Sequence, residues 1–139
     1  MQILMSTIPS AIYFKDLKSR FIRVNQALAK NFGMASPDDL VGKTDFDFFT
    51  QEHAQAAYED EQRIIQTGTP ILNLVEKETW PDRPPTWVAT TKMPLRDEHG
   101  TIVGTFGLST DITEQKRNEE QRAALELQLH QAQKLESIG

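Results

Sequence analysis

The chain has 139 residues, of which 38% are hydrophobic and 25% charged, which suffices for one domain with an ordinary core and an extension. The formal net charge of −5 offers no basic face of the kind that nucleic acid or an anionic membrane requires, so neither partner is expected. The sequence has no cysteine, which excludes disulfide frameworks, thiolate metal ligands, a cysteine nucleophile and a covalent flavin–thiol bond.

The first predicted elements are a short helix, a β-hairpin and a second short helix. Residues 1–8 carry a stripe of apolar side chains that Pro9 ends. Two runs rich in β-branched and aromatic residues, Ala11–Lys15 and Arg20–Asn25, are separated by four residues that suit a hairpin turn. Gln26–Phe32 then predicts a brief helix that can face a sheet.

The middle of the chain predicts three more helices, each preceded by a residue that can cap it. Ser36 and Thr44 both precede acidic residues, an arrangement that suits the electropositive start of a helix. Thr50 caps the longest internal helix, which is predicted over residues 51–67 and is closed by Gly68.

After these helices the pattern changes to strands. Three runs, Ile71–Thr79, Thr86–Leu95 and Thr101–Ile112, are separated by segments typical of turns. Consecutive strands joined by tight turns pair antiparallel. The order of elements therefore predicts an α+β fold, in which a five-stranded antiparallel sheet carries short helices on one concave face and continues into a long C-terminal helix.

Residues 114–138 contain neither glycine nor proline and predict this long helix. Leu125, Leu129 and Ala132 are spaced by four and three residues, as along the seam of a coiled coil, but the next apolar residues follow at intervals of three. The pattern favours a parallel dimer contact with a break in its register.

Four segments together resemble PAS domains with their C-terminal PAC motif. They are Arg20–Asn25, Val41–Phe49, Thr91–Asp97, and the glycine-spaced run from Gly100 through Gly104 and Gly107 to Asp111-Ile112-Thr113. The resemblance covers residues 3–116. It implies the PAS fold for the predicted elements, and a sensor and signal-transmission role without catalysis in this fragment.

The last residues, Gln133–Gly139, resemble the start of the dimerisation and phosphotransfer helix of bacterial sensor histidine kinases. This resemblance implies a two-component parent with an ATP-binding kinase domain, a phosphorelay and a response regulator as partner. His130 precedes the motif, so the phosphoacceptor role is not assigned to it. We therefore expect a PAS sensor domain over residues 1–113, and a coiled-coil signalling helix over residues 114–139 that leads to the kinase.

The expected partner of the fragment is a second copy, bound through the N- and C-terminal helices. No apolar run approaches the roughly 20 residues of a membrane span, and residues 1–9 lack the features of a signal peptide. We expect a cytoplasmic location and no membrane contact. Both ends of the sequence suggest a piece of a larger parent, which could be attached to a membrane through other segments.

The joint between the last strand and the long helix is the predicted signalling site. Asp111, Ile112 and Thr113 end the strand, and Asp111 has capping-box spacing to Glu114. The residues leave two interpretations open, a helix cap with a purely structural role or a joint that couples the helix to the sheet. The PAS resemblance supports the second interpretation.

The concave face is a candidate pocket for a small molecule. Such pockets are mostly apolar with a few polar groups, and the candidate lining residues are Tyr13, Asn25, Phe32, Phe46, Tyr58, Leu72, Trp87 and Thr91. The alternative is that these side chains fill the core, which is the commoner fate of aromatic residues in a small domain. Lys43 and Lys92 are either pocket cations or surface charges with buried stems.

No residue demands a cofactor or a metal ion. Haem-binding PAS domains use a histidine on the long internal helix, but His53 lies in its first turn, where we expect its side chain to reach solvent. Asp45 and Asp47 are spaced as first-turn helix acids, and no nucleophile, metal cluster or phosphate loop accompanies them. Haem and catalysis are therefore both disfavoured.

Three functions are consistent with these patterns. The first is a regulatory PAS module of a sensor histidine kinase, which relays ligand or upstream signals through the C-terminal helix. The second is a ligand-free spacer that dimerises and transmits motion, and a stabilising ligand would distinguish the first from it. The third is the PAS domain of a diguanylate cyclase, against which the kinase-like tail argues.

Overall fold

The computed structural model describes residues 10–138, and the helix predicted over residues 1–8 lies outside this range. The elements are β1 (Ala11–Asp16), β2 (Phe21–Val24), α1 (Gln26–Asn31), α2 (Gln51–Thr67), β3 (Ile71–Glu78), β4 (Thr86–Arg96), β5 (Ile102–Asp111) and α3 (Thr113–Ile138). Two 3-10 helices, Pro37–Leu40 and Asp45–Asp47, lie between α1 and α2. The predicted α+β architecture is confirmed.

The five strands form one antiparallel sheet in the order β2-β1-β5-β4-β3. Strands joined by short turns are neighbours, and β1 pairs with β5 at the centre of the sheet. Tyr13 and Lys92 both lie opposite Gly107, and Lys15 lies opposite Thr105. Because alternate residues of a strand point to opposite faces, Tyr13, Lys15 and Lys92 share the concave face that the helices cover.

Side-chain hydrogen bonds set the starts of the short helices. Asn25 Oδ1 accepts from the backbone nitrogens of Leu28 at 3.2 Å and Ile12 at 3.1 Å, so this cap also ties α1 to β1. Ser36 and Thr44 each form a capping box. The segments after these two caps are 3-10 helices of 4 and 3 residues, because each segment turns again before an α-helical turn can propagate.

Helix α2 crosses the concave face with the bounds that the sequence predicts. Thr50 Oγ1 accepts from the His53 backbone nitrogen at 3.4 Å, and Gly68 ends the helix at a φ of 73°, which glycine adopts without steric cost. The buried residues of α2 are Ala54, Ala57, Glu61 and Ile64. A glutamate therefore lies within the buried stripe of this helix.

The hydrophobic core lies between the sheet and the helices. Ring centroids are 5.3 Å apart for Phe32 and Phe49, and 4.5 Å apart for Phe49 and Trp80, within the range of favourable aromatic contacts. The buried members of the core cluster are Ala11, Tyr13, Phe21, Val24, Leu28, Ala29, Phe32, Leu40 and Phe49. Phe32, Phe49 and Trp80 thus form one aromatic cluster next to the end of α1.

Two glycines allow β5 to approach β1 closely. A Cβ at Gly104 would collide with the backbone carbonyl of Lys15, and a Cβ at Gly107 would collide with the ring of Tyr13. The obstacle is backbone in the first case and a side chain in the second. The Tyr13 ring can move aside, whereas the Lys15 backbone cannot.

Helix α3 leaves the domain after its first turn. Every side chain from Arg117 to Ser137 is exposed, and Leu125, Leu129 and Leu135 are exposed by 60%, 60% and 72%. The described residues of the domain therefore leave these leucines uncovered. Across residues 10–138, no helix combines the length and the apolar character needed to cross a membrane.

Candidate functional site

A cavity of about 210 Å³ lies between the concave face of the sheet and helices α1 and α2. We distinguish a floor on the sheet, an aromatic wall, and a mouth formed by more exposed charged residues. The residues concerned are Tyr13, Lys15, Lys92 and Ser109 on the floor, Phe32, Phe49 and Trp80 in the wall, and Glu76, Glu78, Arg83 and Asp111 at the mouth. A molecule in this cavity would contact the sheet and the helices at the same time.

Four charged side chains form a buried network at the floor. Lys15 Nζ donates to Asp45 Oδ2 and to Glu61 Oε2, both at 2.7 Å, and Lys92 Nζ donates to the same glutamate oxygen at 2.9 Å. The side chains of Lys15, Glu61 and Lys92 are 1%, 0% and 6% exposed. Two ammonium groups and two carboxylates sum to zero, so the floor is polar without net charge.

In this network the ion pairs shift the pKa values of the charged groups more than burial does. Burial opposes ionisation of Glu61, but the ammonium groups of Lys15 and Lys92 hold the pKa of that carboxyl well below its usual range. Burial also opposes the charged form of both lysines, yet Asp45 and Glu61 raise the pKa of Lys15, and Glu61 raises the pKa of Lys92. Glu61 and both lysines are therefore charged at neutral pH.

Hydrogen bonds among three side chains connect the aromatic wall to the mouth. Trp80 Nε1 donates to Thr86 Oγ1 at 3.0 Å, and Thr86 Oγ1 donates to Glu78 Oε1 at 2.9 Å. Burial raises the pKa of Glu78 to about 7, and the nearby negative charges of Glu76 and Asp111 contribute to the rise. The Glu78 carboxyl therefore exchanges its proton near neutral pH.

Replacement of Glu78 by glutamine is expected to stabilise the domain near pH 8 and to leave its stability unchanged near pH 4. The pKa of Glu78 is about 7 in the folded chain against an ordinary value of 4.5, so the folded state binds this proton more tightly than the unfolded state. The free energy of unfolding of the wild type therefore falls as the pH rises through this interval. Neutral glutamine avoids the loss, which we place at about 2 kcal/mol.

Urea unfolding of both proteins at the two pH values measures this difference. Glu98→Gln is the matched control, since the Glu98 side chain is 86% exposed. A stability difference that does not vary with pH would contradict the ionisation behaviour assigned to Glu78.

The first turn of α3 is fastened to β4 and to the cavity mouth. Thr113 N donates to Asp111 Oδ1 at 2.8 Å, and Trp87 N donates to Thr113 Oγ1 at 2.9 Å. Ile112 N donates to the Trp87 carbonyl at 2.8 Å, and Lys116 Nζ lies 4.7 Å from the centre of the Trp87 ring. Asp111 also lines the cavity. One residue thus contacts both the cavity and the helix.

Comparison with known proteins identifies the family. The family profile for the PAS fold matches residues 5–117. The chain belongs to the PAS family. The methanogenesis regulatory histidine kinase FilI of Methanothrix harundinacea (strain 6Ac) is 31% identical over 113 residues, which are 81% of this chain and 12% of FilI. This PAS domain thus spans a small part of the length of that relative.

Solved structures of PAS proteins share the fold. The Vibrio cholerae VqmA dimer, solved without its target DNA, aligns with a TM-score of 0.72 at 30% identity, over 81% of this chain and 50% of VqmA. VqmA bound to DPO aligns with a TM-score of 0.70 at 30% identity, over 78% of this chain and 55% of VqmA. The PAS domain of Bordetella pertussis BvgS has a TM-score of 0.66 at 23% identity, over 92% of this chain and 95% of that domain, a likeness that concerns the fold alone.

Of the eight side chains predicted to line a pocket, Tyr13 and Phe32 line the cavity of the PAS domain. Asn25 is buried as the cap of α1. Phe46 and Tyr58 are 40% and 38% exposed and pair with each other beside a separate depression. A ligand contact stays a prediction for Tyr13 and Phe32.

The other three predicted pocket residues lie away from the cavity. Leu72 is 65% exposed on the edge strand β3. Trp87 and Thr91 alternate with the buried Val88 and Thr90, so they lie on the convex face of the sheet. The period of two in β4 is predicted correctly, but its phase is reversed, because both faces of this strand carry residues of similar polarity.

The structure shows where the two lysines and the histidine weighed as pocket residues lie relative to the cavity. Lys92 lies on the cavity floor, whereas Lys43 is exposed. His53 lines the cavity with its ring centroid 4.5 Å from that of Phe49, so the expectation that it reaches solvent is wrong. The reason is that His53 lies four residues before the buried Ala57, on the same face of α2. Burial lowers the pKa of His53, which is therefore neutral at pH 7.

Sequence reasoning missed the buried acids of the PAS domain. No sequence pattern singles out Glu61, and the spacing of Asp45 indicates a first-turn helix acid, whereas Asp45 also accepts from Lys15. A signal was present, because Lys15 follows Ala11 and Tyr13 at intervals of two on one face of β1. A lysine on a buried strand face requires a buried acid.

The cap at the start of α3 also differs in detail from the predicted one. Asp111 has capping-box spacing to Glu114, but its carboxylate accepts from Thr113 N. The helix consequently begins at Thr113, one residue earlier than predicted.

Proposed function

We propose that this chain is the sensory PAS module of a histidine kinase, in which a small molecule bound in the cavity alters kinase output through α3. The observation that carries the proposal is the double contact of Asp111. This residue lines the cavity and also accepts the hydrogen bond from Thr113 N at the start of α3. A ligand that displaces the Asp111 carboxylate would therefore displace the first turn of the helix.

Two relatives support the sensory and kinase parts of this proposal. FilI, which is 31% identical over the matched residues, is a regulatory histidine kinase, and the tail Gln133–Gly139 resembles the start of a kinase dimerisation helix. VqmA, at 30% identity, was solved with DPO bound. Binding of a small molecule by a similar chain favours a sensor over a ligand-free spacer.

We further infer that two copies of α3 pair to carry the signal. Leu125, Leu129 and Leu135 are all more than half exposed, and covering a leucine side chain stabilises by about 1.5–3 kcal/mol. VqmA, for comparison, is described as a dimer. In such a pair, rotation at the first turn of α3 changes which side chains meet across the dimer, which gives a two-state output.

The test replaces Asp111 and Thr113 together by alanine in the full-length parent kinase. The change removes the cap and the bond from Trp87 N, and caps of this kind stabilise by about 0.5–2 kcal/mol. If the joint sets the balance between two kinase states, the basal rate of autophosphorylation should change by about threefold or more. The rate is measured as transfer of labelled phosphate from ATP.

Thr110→Ala is the matched control in the same parent. Thr110 is exposed, it belongs to β5 just before the joint, and its hydroxyl lies 2.9 Å from that of Ser10. A double variant that is folded, as judged by circular dichroism, and that phosphorylates itself at the wild-type rate would refute the coupling role of the joint.

A further inference from the structure

The charges at the cavity mouth are not balanced in the way that those of the floor are. On the floor, each ammonium group contacts a carboxylate at 2.9 Å or less. At the mouth, Glu76, Glu78 and Asp111 line the cavity. Within the described residues 10–138, none of these three carboxylates forms an ion pair with a lysine or an arginine. The mouth therefore has a negative potential that favours a positive charge.

The protein places a cation of its own, Arg83, at the same cavity. The guanidinium carbon of Arg83 lies 4.1 Å from the centre of the Trp80 ring, and Arg83 Nη1 donates to the Asn31 carbonyl at 2.8 Å. Arg83 belongs to the loop between β3 and β4, its side chain is 39% exposed, and it pairs loosely with Asp82 at 3.6 Å. The arginine thus spans the mouth by contacts that an incoming molecule can replace.

The aromatic wall offers further surface to a cation. The centroid distances among Phe32, Phe49 and Trp80 are 5.3, 5.8 and 4.5 Å, so the three rings form a continuous wall. The faces of aromatic rings attract ammonium and guanidinium groups. The three carboxylates that line the same cavity disfavour a carboxylate or a phosphate there.

We propose that the cavity binds a small organic cation, with its ammonium group between the mouth carboxylates and the aromatic wall and in competition with Arg83. This inference rests on the proposed sensory role of the cavity and assigns the chemical class of its ligand. The cavity of about 210 Å³ has the volume of about seven liquid waters, so the ligand has on the order of ten non-hydrogen atoms. A positive charge beside Asp111 would act directly on the residue that caps α3.

The test compares probes of the same shape and different charge. Benzylamine, benzyl alcohol and benzoate are titrated into the chain, together with butylamine, butanol and butyrate, and binding is followed by calorimetry and by tryptophan fluorescence. Each amine is expected to bind about tenfold or more tightly than the matched alcohol, and each carboxylate more weakly than the alcohol. Binding of the amines that is equal to or weaker than that of their matched partners, including no binding at all, would overturn the proposal.

Two variants should change amine affinity in opposite directions. Arg83→Ala removes the internal competitor and is expected to strengthen binding severalfold, whereas Glu78→Gln removes a carboxylate and is expected to weaken it severalfold. Arg63→Ala and Glu59→Gln are the matched controls, because both side chains are exposed on α2. Weaker amine binding by Arg83→Ala would contradict the competition.

Proton release provides a readout that a purely structural role would not give. A cation that binds beside Glu78 favours its ionised form, so binding near pH 7 should release a fraction of a proton. Calorimetry in two buffers of different ionisation enthalpy measures this fraction, and Glu78→Gln should abolish it. The other titratable or charged groups that line the same cavity are Tyr13, Lys15, Asp45, His53, Glu76, Arg83, Lys92 and Asp111. Proton uptake on amine binding would overturn the proposal.

The two proposals can fail separately. Suppose that the chain binds amines but the Asp111 and Thr113 double variant of the kinase phosphorylates itself at an unchanged rate. The cation would then stand as the ligand class, and signal transmission through the joint would be refuted. Preferential binding of the alcohols or carboxylates, combined with a changed kinase rate, would retain the relay and refute the ligand class.

Discussion

Replacement of Glu61 by glutamine is expected to lower the free energy of unfolding by about 3–5 kcal/mol, the usual consequence of removing one partner from a buried ion pair. Glutamine has nearly the same shape, so the core keeps its packing while the charge is lost. Lys92 then has no carboxylate partner, and Lys15 keeps only Asp45. Urea unfolding near pH 7 would show the loss as a lower midpoint with an unchanged slope.

The loss of unfolding free energy in Glu61→Gln should also depend on the pH and on the charge of Lys92. The pKa of Glu61 is depressed in the folded chain, so its contribution is complete above the ordinary value of 4.5 and disappears as the pH falls below that value. A second substitution, Lys92→Met, removes the unpaired cation and should recover much of the stability lost in Glu61→Gln. Glu59→Gln on the exposed side of α2 is the control. Equal losses for Glu59→Gln and Glu61→Gln would contradict the assigned role of the network.

Replacement of Gly104 by alanine is expected to cost about 3 kcal/mol or more, because overpacking against backbone cannot be relieved by a side-chain rotation. The new Cβ would meet the carbonyl of Lys15, with Asp16 Cα 3.2 Å away. Lys15 cannot retreat, because its side chain is held by two buried carboxylates. Thermal unfolding monitored by circular dichroism measures the change.

Two neighbouring substitutions keep this prediction testable if Gly104→Ala fails to fold. Val103→Ala, at a position 39% exposed on the same strand, should cost less than about 1 kcal/mol. Gly107→Ala pushes on the Tyr13 ring, a side chain that can turn away from the Ser109 hydroxyl 3.1 Å from its own, so its cost should be intermediate. A Gly104→Ala protein as stable as Val103→Ala would refute the close approach of β1 and β5.

Capping and turn residues mark where helices and strands begin and end, and they make much of the fold predictable. Thr50 and Gly68 bound α2 at the predicted residues, because a hydroxyl cap and a left-handed glycine act locally and need no information from the rest of the chain. The antiparallel pairing of β1 with β2, and of β4 with β3 and β5, follows in the same way from short connections. The PAS resemblance, which four sequence segments carry, is confirmed by the family match over residues 5–117.

The site was less predictable, because it depends on which face of each strand meets the helices. In β4, Trp87 and Thr91 are predicted to lie in the pocket, but Val88 and Lys92 line it. A strand of mixed polarity has no clear apolar side, so a phase error of one residue reverses every assignment. The burial of Glu61 and Glu78 is not predictable from the sequence for a related reason. Acidic residues are mostly exposed, and only contacts between elements far apart in the chain bury these two.

The solvent exposure of α3 after Lys116 has a consequence for the design of chimeric proteins that fuse this domain to other effectors. Since every side chain from Arg117 to Ser137 is exposed, the sequence there is not constrained by the PAS core, and a foreign effector could be spliced on at any point along it. What must be conserved is angular phase, because each inserted or deleted residue turns the downstream segment by about 100°. Chimeras whose junctions differ by whole heptads would keep the native orientation, and those that differ by one or two residues would present another face.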